Sequence, residues 1–222
     1  MTPNLRALAD AIHDLGHGGR RIADTLIRLA GAVPPGQAIV DIGPYLGSTT
    51  AYLALGSDRE IHAYDTWDAT ICDLRGKARQ YHGQELPDDL LPLFIANLAP
   101  FRPVLGGLGG AQWDARTVMR APILANKGDL FDAAYIGGPI GLLVDDIGCD
   151  ERYTRAKLAT FGPHLASGAR LVLMDFYWYE SKAGEAFDYQ RRLVERNPRA
   201  FRFVERDGMA AVFEWGGGSV AY

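Results

Sequence analysis

Val40-Asp41-Ile42-Gly43-Pro44-Tyr45-Leu46-Gly47-Ser48-Thr49-Thr50 decides how the chain is read. The apolar, β-branched run 37–42 has the character of a strand buried on both faces, and it stops at Gly43. A helix is expected over 48–56, with Ser48 at its start. Downstream, 60–65 reads as a second strand, 123–126 as a third and 140–144 as a fourth, ending in Asp145-Asp146. Residues 151–165 read as helix, Ser167-Gly168 as a turn, 169–174 as a fifth strand ending before Asp175, and 184–196 as helix. Arg206-Asp207-Gly208 separates two apolar runs, 201–205 and 210–215, which signals a β-hairpin. Strands alternating with helices predict an α/β protein: a Rossmann-like, doubly wound, mostly parallel sheet of seven strands with a C-terminal antiparallel hairpin.

Upstream, apolar residues recur at helical spacing over 4–31, interrupted by Gly16, Gly18 and Gly19, so two helices form an N-terminal appendage over 1–36. Its apolar faces suggest that it covers a subunit interface in a homo-oligomer, or its own ligand pocket. The stretch 68–120 is too long for a plain connection and is expected to be a lid or acceptor-binding insertion within one domain spanning 1–222. It holds one clear helix near 88–98, with Asp88-Asp89 as its cap and first turn, and a glycine-rich loop over 105–110.

Composition narrows the class. With 48% apolar residues the chain can build a core, and a net charge of -4 argues against a nucleic-acid binder. No uncharged apolar run reaches the roughly 18 residues of a membrane span. The first residues lack the basic start and apolar middle of a signal peptide. Cys72 and Cys149 are far apart, as free thiols in a reducing cytoplasm would be. Glycine is over-represented, 26 of 222 residues, and part of the excess lies at strand ends.

Ligands of such sheets lie beyond the carboxyl ends of the strands. Asp41, Asp65, Asp129, Asp145, Asp146 and Asp175 all fall at or just after strand ends. Asp65 follows Asp41 by 24 residues, where an acid accepts hydrogen bonds from both hydroxyls of a ribose. Gly43 and Gly47 permit a tight turn into a helix whose free N–H groups suit an anion. Two nucleoside cofactors fit this much, NAD and S-adenosylmethionine. The dinucleotide fingerprint needs G-x-G-x-x-G, whereas Tyr45 stands where the second glycine would be. S-adenosylmethionine carries no phosphate, and its ammonium group suits the acid at Asp41.

Residues 40–50 resemble the first motif of class I S-adenosylmethionine-dependent methyltransferases, D/E-x-G-x-x-x-G-x-S/T. The stretch 63–67 (AYDTW) is similar to the second motif of the macrocin O-methyltransferase and cephalosporin-hydroxylase-like branch. Residues 140–146 and 167–175 resemble that branch's fourth and fifth strands, and the likeness runs over about 37–215. The resemblance implies a methyltransferase acting on a small-molecule hydroxyl, on a sugar or secondary metabolite. It places Asp41, Gly43, Gly47 and Ser48 at the methionine part of the cofactor and Asp65, Thr66 and Trp67 at its ribose. Gly128 and Asp129 fall by the adenine, and Asp145 and Asp146 at the methionine end facing the substrate. The alternatives are a protein of the same fold that binds the cofactor without transferring methyl and, less well supported, a NAD-dependent oxidoreductase.

Members of the branch often bind magnesium through acids after the fourth and fifth strands. Here Met174 stands where one of the fifth-strand acids would be, which leaves Asp146, Asp150 and Asp175. Transfer without a metal is therefore expected. A hydroxyl acceptor needs a base, and Asp146 and Asp175 are the candidates, with His82 behind them. His13 and His17 read as surface residues. Phe176-Tyr177-Trp178-Tyr179 could wall a substrate pocket or pack in the core, and Trp67 and Trp113 could serve as platforms.

Overall fold

The computed structural model of the protein describes residues 4–13, 22–72, 80–81, 84–106, 121–180 and 188–222. His17, His82, Trp113 and the loop glycines after Gly106 lie outside the described residues, as does the side chain of His13. The strands are β1 (Ala38–Ile42), β2 (Ile61–Asp65), β3 (Gln80–Tyr81), β4 (Gln84–Glu85), β5 (Val104–Gly106), β6 (Ile123–Lys127), β7 (Ile140–Asp145), β8 (Leu165–Leu173), β9 (Phe201–Asp207) and β10 (Ala210–Trp215). The helices are α1 (Leu5–His13), α2 (Ala23–Gly31), α3 (Ser48–Gly56), α4 (Ala69–Cys72), α5 (Leu91–Leu98), α6 (Glu151–Phe161), α7 (Phe176–Glu180) and α8 (Tyr189–Arg196). Among the described residues no helix is long and apolar enough to cross a membrane.

Eight strands form one sheet in the order β5-β6-β2-β1-β7-β8-β10-β9. The six from β5 to β8 are parallel, and β10 runs antiparallel to both β8 and β9. The doubly wound architecture and the closing hairpin are as expected, with one strand more than seven. The addition is β5, on the edge beyond β6, where Leu105 and Gly106 were expected to open the glycine-rich loop over 105–110. Three residues, one of them a glycine, are too short to show a strand period; pairing of Val104 with Ile123 makes the strand.

Other boundaries moved for local reasons. β8 begins at Leu165 and runs through Ser167-Gly168, which was expected to be a turn. Gly168 has φ +83°, and the β7–β8 register shifts between Ile140 and Leu142, so the glycine signal marks a bulge within a longer strand. α6 stops at Phe161, and Gly162–His164 form a 3₁₀ turn. α5 begins at Leu91, so Asp88 and Asp89 precede it; Asp89 Oδ1 still accepts from the Leu91 amide at 3.0 Å. Leu90, Phe94 and Leu98 are fully buried in the main core, so this part of 68–120 is built into the domain and does not stand off as a lid.

β1 sits between β2 and β7, and strand order reverses there. Its burial is complete, all five residues, because helices cover both faces. α3 is buried along Ser48–Ala54 and has no polar stripe. Such a helix must be covered on its outer side too, and α1 and α2 supply that cover. Tyr52 Oη donates to Asp10 at 2.8 Å, and Arg6 of α1 bonds Asp24 of α2 at 2.7 Å. The N-terminal helices thus bury Ala9, Ile12, Ala23, Leu26 and Leu29 on their own domain, while Leu8 of α1 stays exposed.

The α2–α3 crossing depends on Gly56. A Cβ there would lie 2.1 Å from the Ile27 carbonyl oxygen. Gly56→Ala is expected to destabilise the protein by about 1–3 kcal/mol through overpacking, read as a lower urea midpoint with an unchanged slope.

Candidate functional site

A cleft opens at the carboxyl ends of β1 and β7, where the strand order reverses. Gly43, Tyr45, Ser48 and Asp146 line it, together with Ile12 from α1. Ile12 had no local signal; only the packing of α1 on α3 brings it there. Ser48 opens α3, buried, and its Oγ has no hydrogen-bond partner. Gly47, the residue before it, has φ +97°. α3 has no side-chain cap, so the amides of its first turn remain available to an anion.

The loop that carries these groups is held by Asp65. Its Oδ2 accepts from the Tyr45 amide at 3.0 Å and its Oδ1 from the Trp67 amide at 2.8 Å. Tyr45 (φ 51°) and Trp67 (φ 46°) are the two non-glycine residues with positive φ among the described residues. Such backbone is strained by about 1–3 kcal/mol per residue unless its surroundings fix it. Trp67 Nε1 donates to the Tyr45 carbonyl at 2.9 Å, which closes the link between the two loops. Trp67 itself is fully buried against Phe94, so it is a core residue and not a ligand platform. Thr66 lies beside the acid, its Oγ1 3.4 Å from Asp65 Oδ1.

The carboxylates at this end of the sheet are mutually unfavourable. Asp41 is fully buried; Oδ2 accepts from Thr50 Oγ1 at 2.6 Å, while Oδ1 has no partner. Burial pushes its carboxyl up to about 7, against the Thr50 bond and with help from the charge of Asp65. Asp146 is pushed up to about 8, by desolvation first and then by the charges of Asp175, Asp41, Asp145 and Asp65. Asp65 is raised by burial, although its hydrogen bonds oppose the rise. Asp175 sits in the exposed turn after β8, close enough to act on Asp146. An acid held above its ordinary range by burial and like charge is one that a cation would ionise.

Several expected site residues do other work. Asp145 faces the opposite side of the sheet, where its Oδ2 accepts from Lys157 Nζ and Gln190 Nε2, each at 2.6 Å. It is an internal ion-pair acid and not a cleft residue. The physical reason is strand alternation: Asp145 and Asp146 cannot share a face. Gly43 lines the cleft with φ +79°, and a Cβ there would meet Ile147 Cγ2 at 2.4 Å and the Asp146 carbonyl oxygen at 2.7 Å, so its lack of a side chain also permits the packing of the two loops. A Cβ on Gly47 would meet Leu98 and Phe94 of α5 at 3.2 Å. Gly128 donates its amide to the Asp65 carbonyl at 3.0 Å, which places it next to Asp65; exposed Asp129 caps a 3₁₀ turn through the Phe131 amide at 3.1 Å. Phe176 packs on Phe213 in the core, and Tyr177 lies under Arg206.

Of the acids considered for magnesium, Asp150 has a local structural role. Asp150 is the N-cap of α6, accepting from the Tyr153 amide at 2.9 Å. Among the described residues no three His, Cys, Asp or Glu side chains group as ligands of a metal ion.

No protein-family model and no curated protein sequence matches the chain. Solved structures do. The O-methyltransferase NovP aligns over 89% of this chain and 80% of its own, with TM-score 0.61 and 12% identity. PaMTH1 of Podospora anserina, a methyltransferase solved with S-adenosylhomocysteine, aligns over 96% and 88%, with TM-score 0.62 and 13% identity. TomG of Streptomyces achromogenes, an O-methyltransferase solved with S-adenosylmethionine, aligns over 96% and 89%, with TM-score 0.58 and 12% identity. The chain has the class I methyltransferase fold. The cleft lies where its strand order reverses.

The raised acids fix a pH dependence. Asp41 and Asp146 bind protons more tightly folded than unfolded, so their contribution favours the fold at acid pH. It is lost as pH rises from about 4 through about 7 and 8. The thermal midpoint of the unliganded protein should fall between pH 5 and pH 8.5, and Asp146→Asn should flatten that fall by a few degrees. An identical fall in wild type and variant in differential scanning calorimetry would show that Asp146 is not responsible.

Proposed function

We propose that the protein binds S-adenosylmethionine over β1, β2 and β7 and catalyses methyl transfer to a hydroxyl of a small molecule, in the class of sugars and secondary metabolites. The observation that carries this reading is the pairing of unmatched groups in one place. Buried Asp41 and half-buried Asp146 lack a cation, while Ser48 Oγ and the first amides of α3 lack an anion. An amino acid zwitterion supplies both. A dinucleotide would bring a pyrophosphate into a cluster of aspartates, which opposes it electrostatically. The fold of O-methyltransferases such as NovP and TomG supports the same reading.

In this reading Ser48 and the start of α3 receive the carboxylate of the cofactor's methionine part, and Asp41 and Asp146 its ammonium. Asp65 keeps lone pairs beyond those used by the Tyr45 and Trp67 amides, and these accept from the ribose hydroxyls. Gly128 and Asp129, next along the strand ends, border the base. When bound, the cofactor supplies a methyl group activated by a positive sulfur. Asp146 or Asp175 orients the acceptor hydroxyl and takes its proton. Residues of the cleft wall, Ile12 among them, exclude water from the reacting centre.

Calorimetry should show binding of S-adenosylmethionine and none of NAD. Asp65→Ala should weaken the cofactor at least tenfold, since it removes charge-assisted hydrogen bonds of about 1.5–3 kcal/mol. Circular dichroism must show that the variant still folds. Unchanged affinity in a folded variant would remove Asp65 from the site. Incubation with hydroxylated acceptors should give a product one methylene heavier in mass spectrometry, with or without chelator. Cofactor binding with no product from any acceptor would favour the reading as a binding protein of the same fold.

A further inference from the structure

Thr50 is fully buried in the first turn of α3, directly against Asp41 of β1. A threonine hydroxyl within a helix can bond back to the carbonyl four residues earlier. For Thr50 that carbonyl belongs to Leu46, and it accepts from Asn97 Nδ2 of α5 at 2.9 Å. The Thr50 hydroxyl donates to Asp41 Oδ2 at 2.6 Å.

That bond has two consequences for the acid. A hydrogen bond to a carboxyl is stronger when the carboxyl is charged, so it favours ionised Asp41. Burial and the charge of Asp65 on β2 act the other way and push the carboxyl up to about 7 even with the bond in place. Asp146 at the end of β7 is another acid, Asp145 faces the opposite side of the sheet, and α3 carries no charged residue. Among the described residues no cationic side chain bonds Asp41, so none replaces the hydroxyl. The bond also occupies Oδ2 and leaves Oδ1, which has no partner, as the open acceptor. We infer that Thr50 is a positioning residue of the proposed cofactor site, its hydroxyl holding Asp41 in the orientation and charged form that receive the cofactor's ammonium group. This rests on the reading of the cleft as an S-adenosylmethionine site. Thr50 acts through Asp41 and is assigned no ligand contact of its own.

Two measurements separate this role from the reading beneath it. Thr50→Val removes the hydroxyl and keeps the branched shape, Thr50→Ala removes it in a better helix former, and Thr50→Ser keeps it. In carbon-13 NMR of the protein alone, the Asp41 carboxyl should titrate about one pH unit higher in Thr50→Val than in wild type or Thr50→Ser. S-adenosylhomocysteine carries the same amino acid group, and calorimetry should show it bound roughly fivefold more weakly by Thr50→Val than by wild type at pH 7. The gap should close to within about twofold at pH 9, where Asp41 is charged in both proteins, and Thr50→Ser should match wild type throughout. An unmoved titration, a loss of affinity equal at both pH values, or failure of both the Val and the Ala variant to fold would each overturn the role and make the bond a structural one. A titration that moves in a protein whose wild type binds no S-adenosylhomocysteine would overturn the cofactor reading, and the positioning role with it.

Discussion

The carboxylate of Asp65 is the constraint on which the cleft depends. It ends β2, yet its hydrogen bonds reach the loop after β1 through Tyr45 and its own loop through Trp67. Both residues have backbone that side chains avoid. A charge-assisted bond to each amide offsets that strain, and the Trp67–Tyr45 bond makes the two loops one unit. Trp67 then fills the core against Phe94, and α5 packs where Gly47 has no side chain. The start of α3, and so the position of Ser48, follows from that chain of contacts. Asp65 is raised by burial in spite of its bonds, which shows how much desolvation this anchor carries.

Adjacent aspartates at the end of β7 divide the electrostatics of the domain. Asp145 turns to the face where Lys157 neutralises it, and Gln190 takes up the same oxygen. Asp146 turns to the cleft, where its charged neighbours are all acids. The two carboxyls are one residue apart and in opposite states of compensation. A fold selected for stability alone would not leave Asp41 with an unmatched buried oxygen next to such a group. The uncompensated side is therefore where a ligand's charge belongs.

The parts of this arrangement legible in the sequence are those with a local cause. Val40-Asp41-Ile42-Gly43 shows a strand and its stop, and the acids at 65, 146 and 175 mark three further strand ends. Asp207-Gly208 marks the hairpin. What could not be read has a tertiary cause. Which of Asp145 and Asp146 faces the cleft depends on the sheet face to which α3 docks. One reason for Gly43 is Ile147, a hundred residues downstream. Thr50 bonds Asp41 because the first turns of α3 lie over β1, and the Ser48-Thr49-Thr50 run of hydroxyls was the signal available for it. Trp67 looked like a platform because a tryptophan after a strand end has the same sequence in a pocket as in a core.

The cleft's acids also bear on the order of events in the proposed reaction. Burial and the charges of the neighbouring acids push the Asp146 carboxyl up to about 8, which favours its protonated form, a poor acceptor for a hydroxyl proton. A cation placed among Asp41, Asp65 and Asp146 favours their charged forms and lowers the proton affinity of each. In the proposed reaction Asp146 would therefore become competent as a base once the positively charged ligand is in place. Binding of the cation must then release protons, in an amount that grows as pH falls below the unliganded value of Asp146 and fades above it. In that reading, an acid kept neutral by its neighbours and ionised by its ligand withholds proton abstraction until the methyl donor is present.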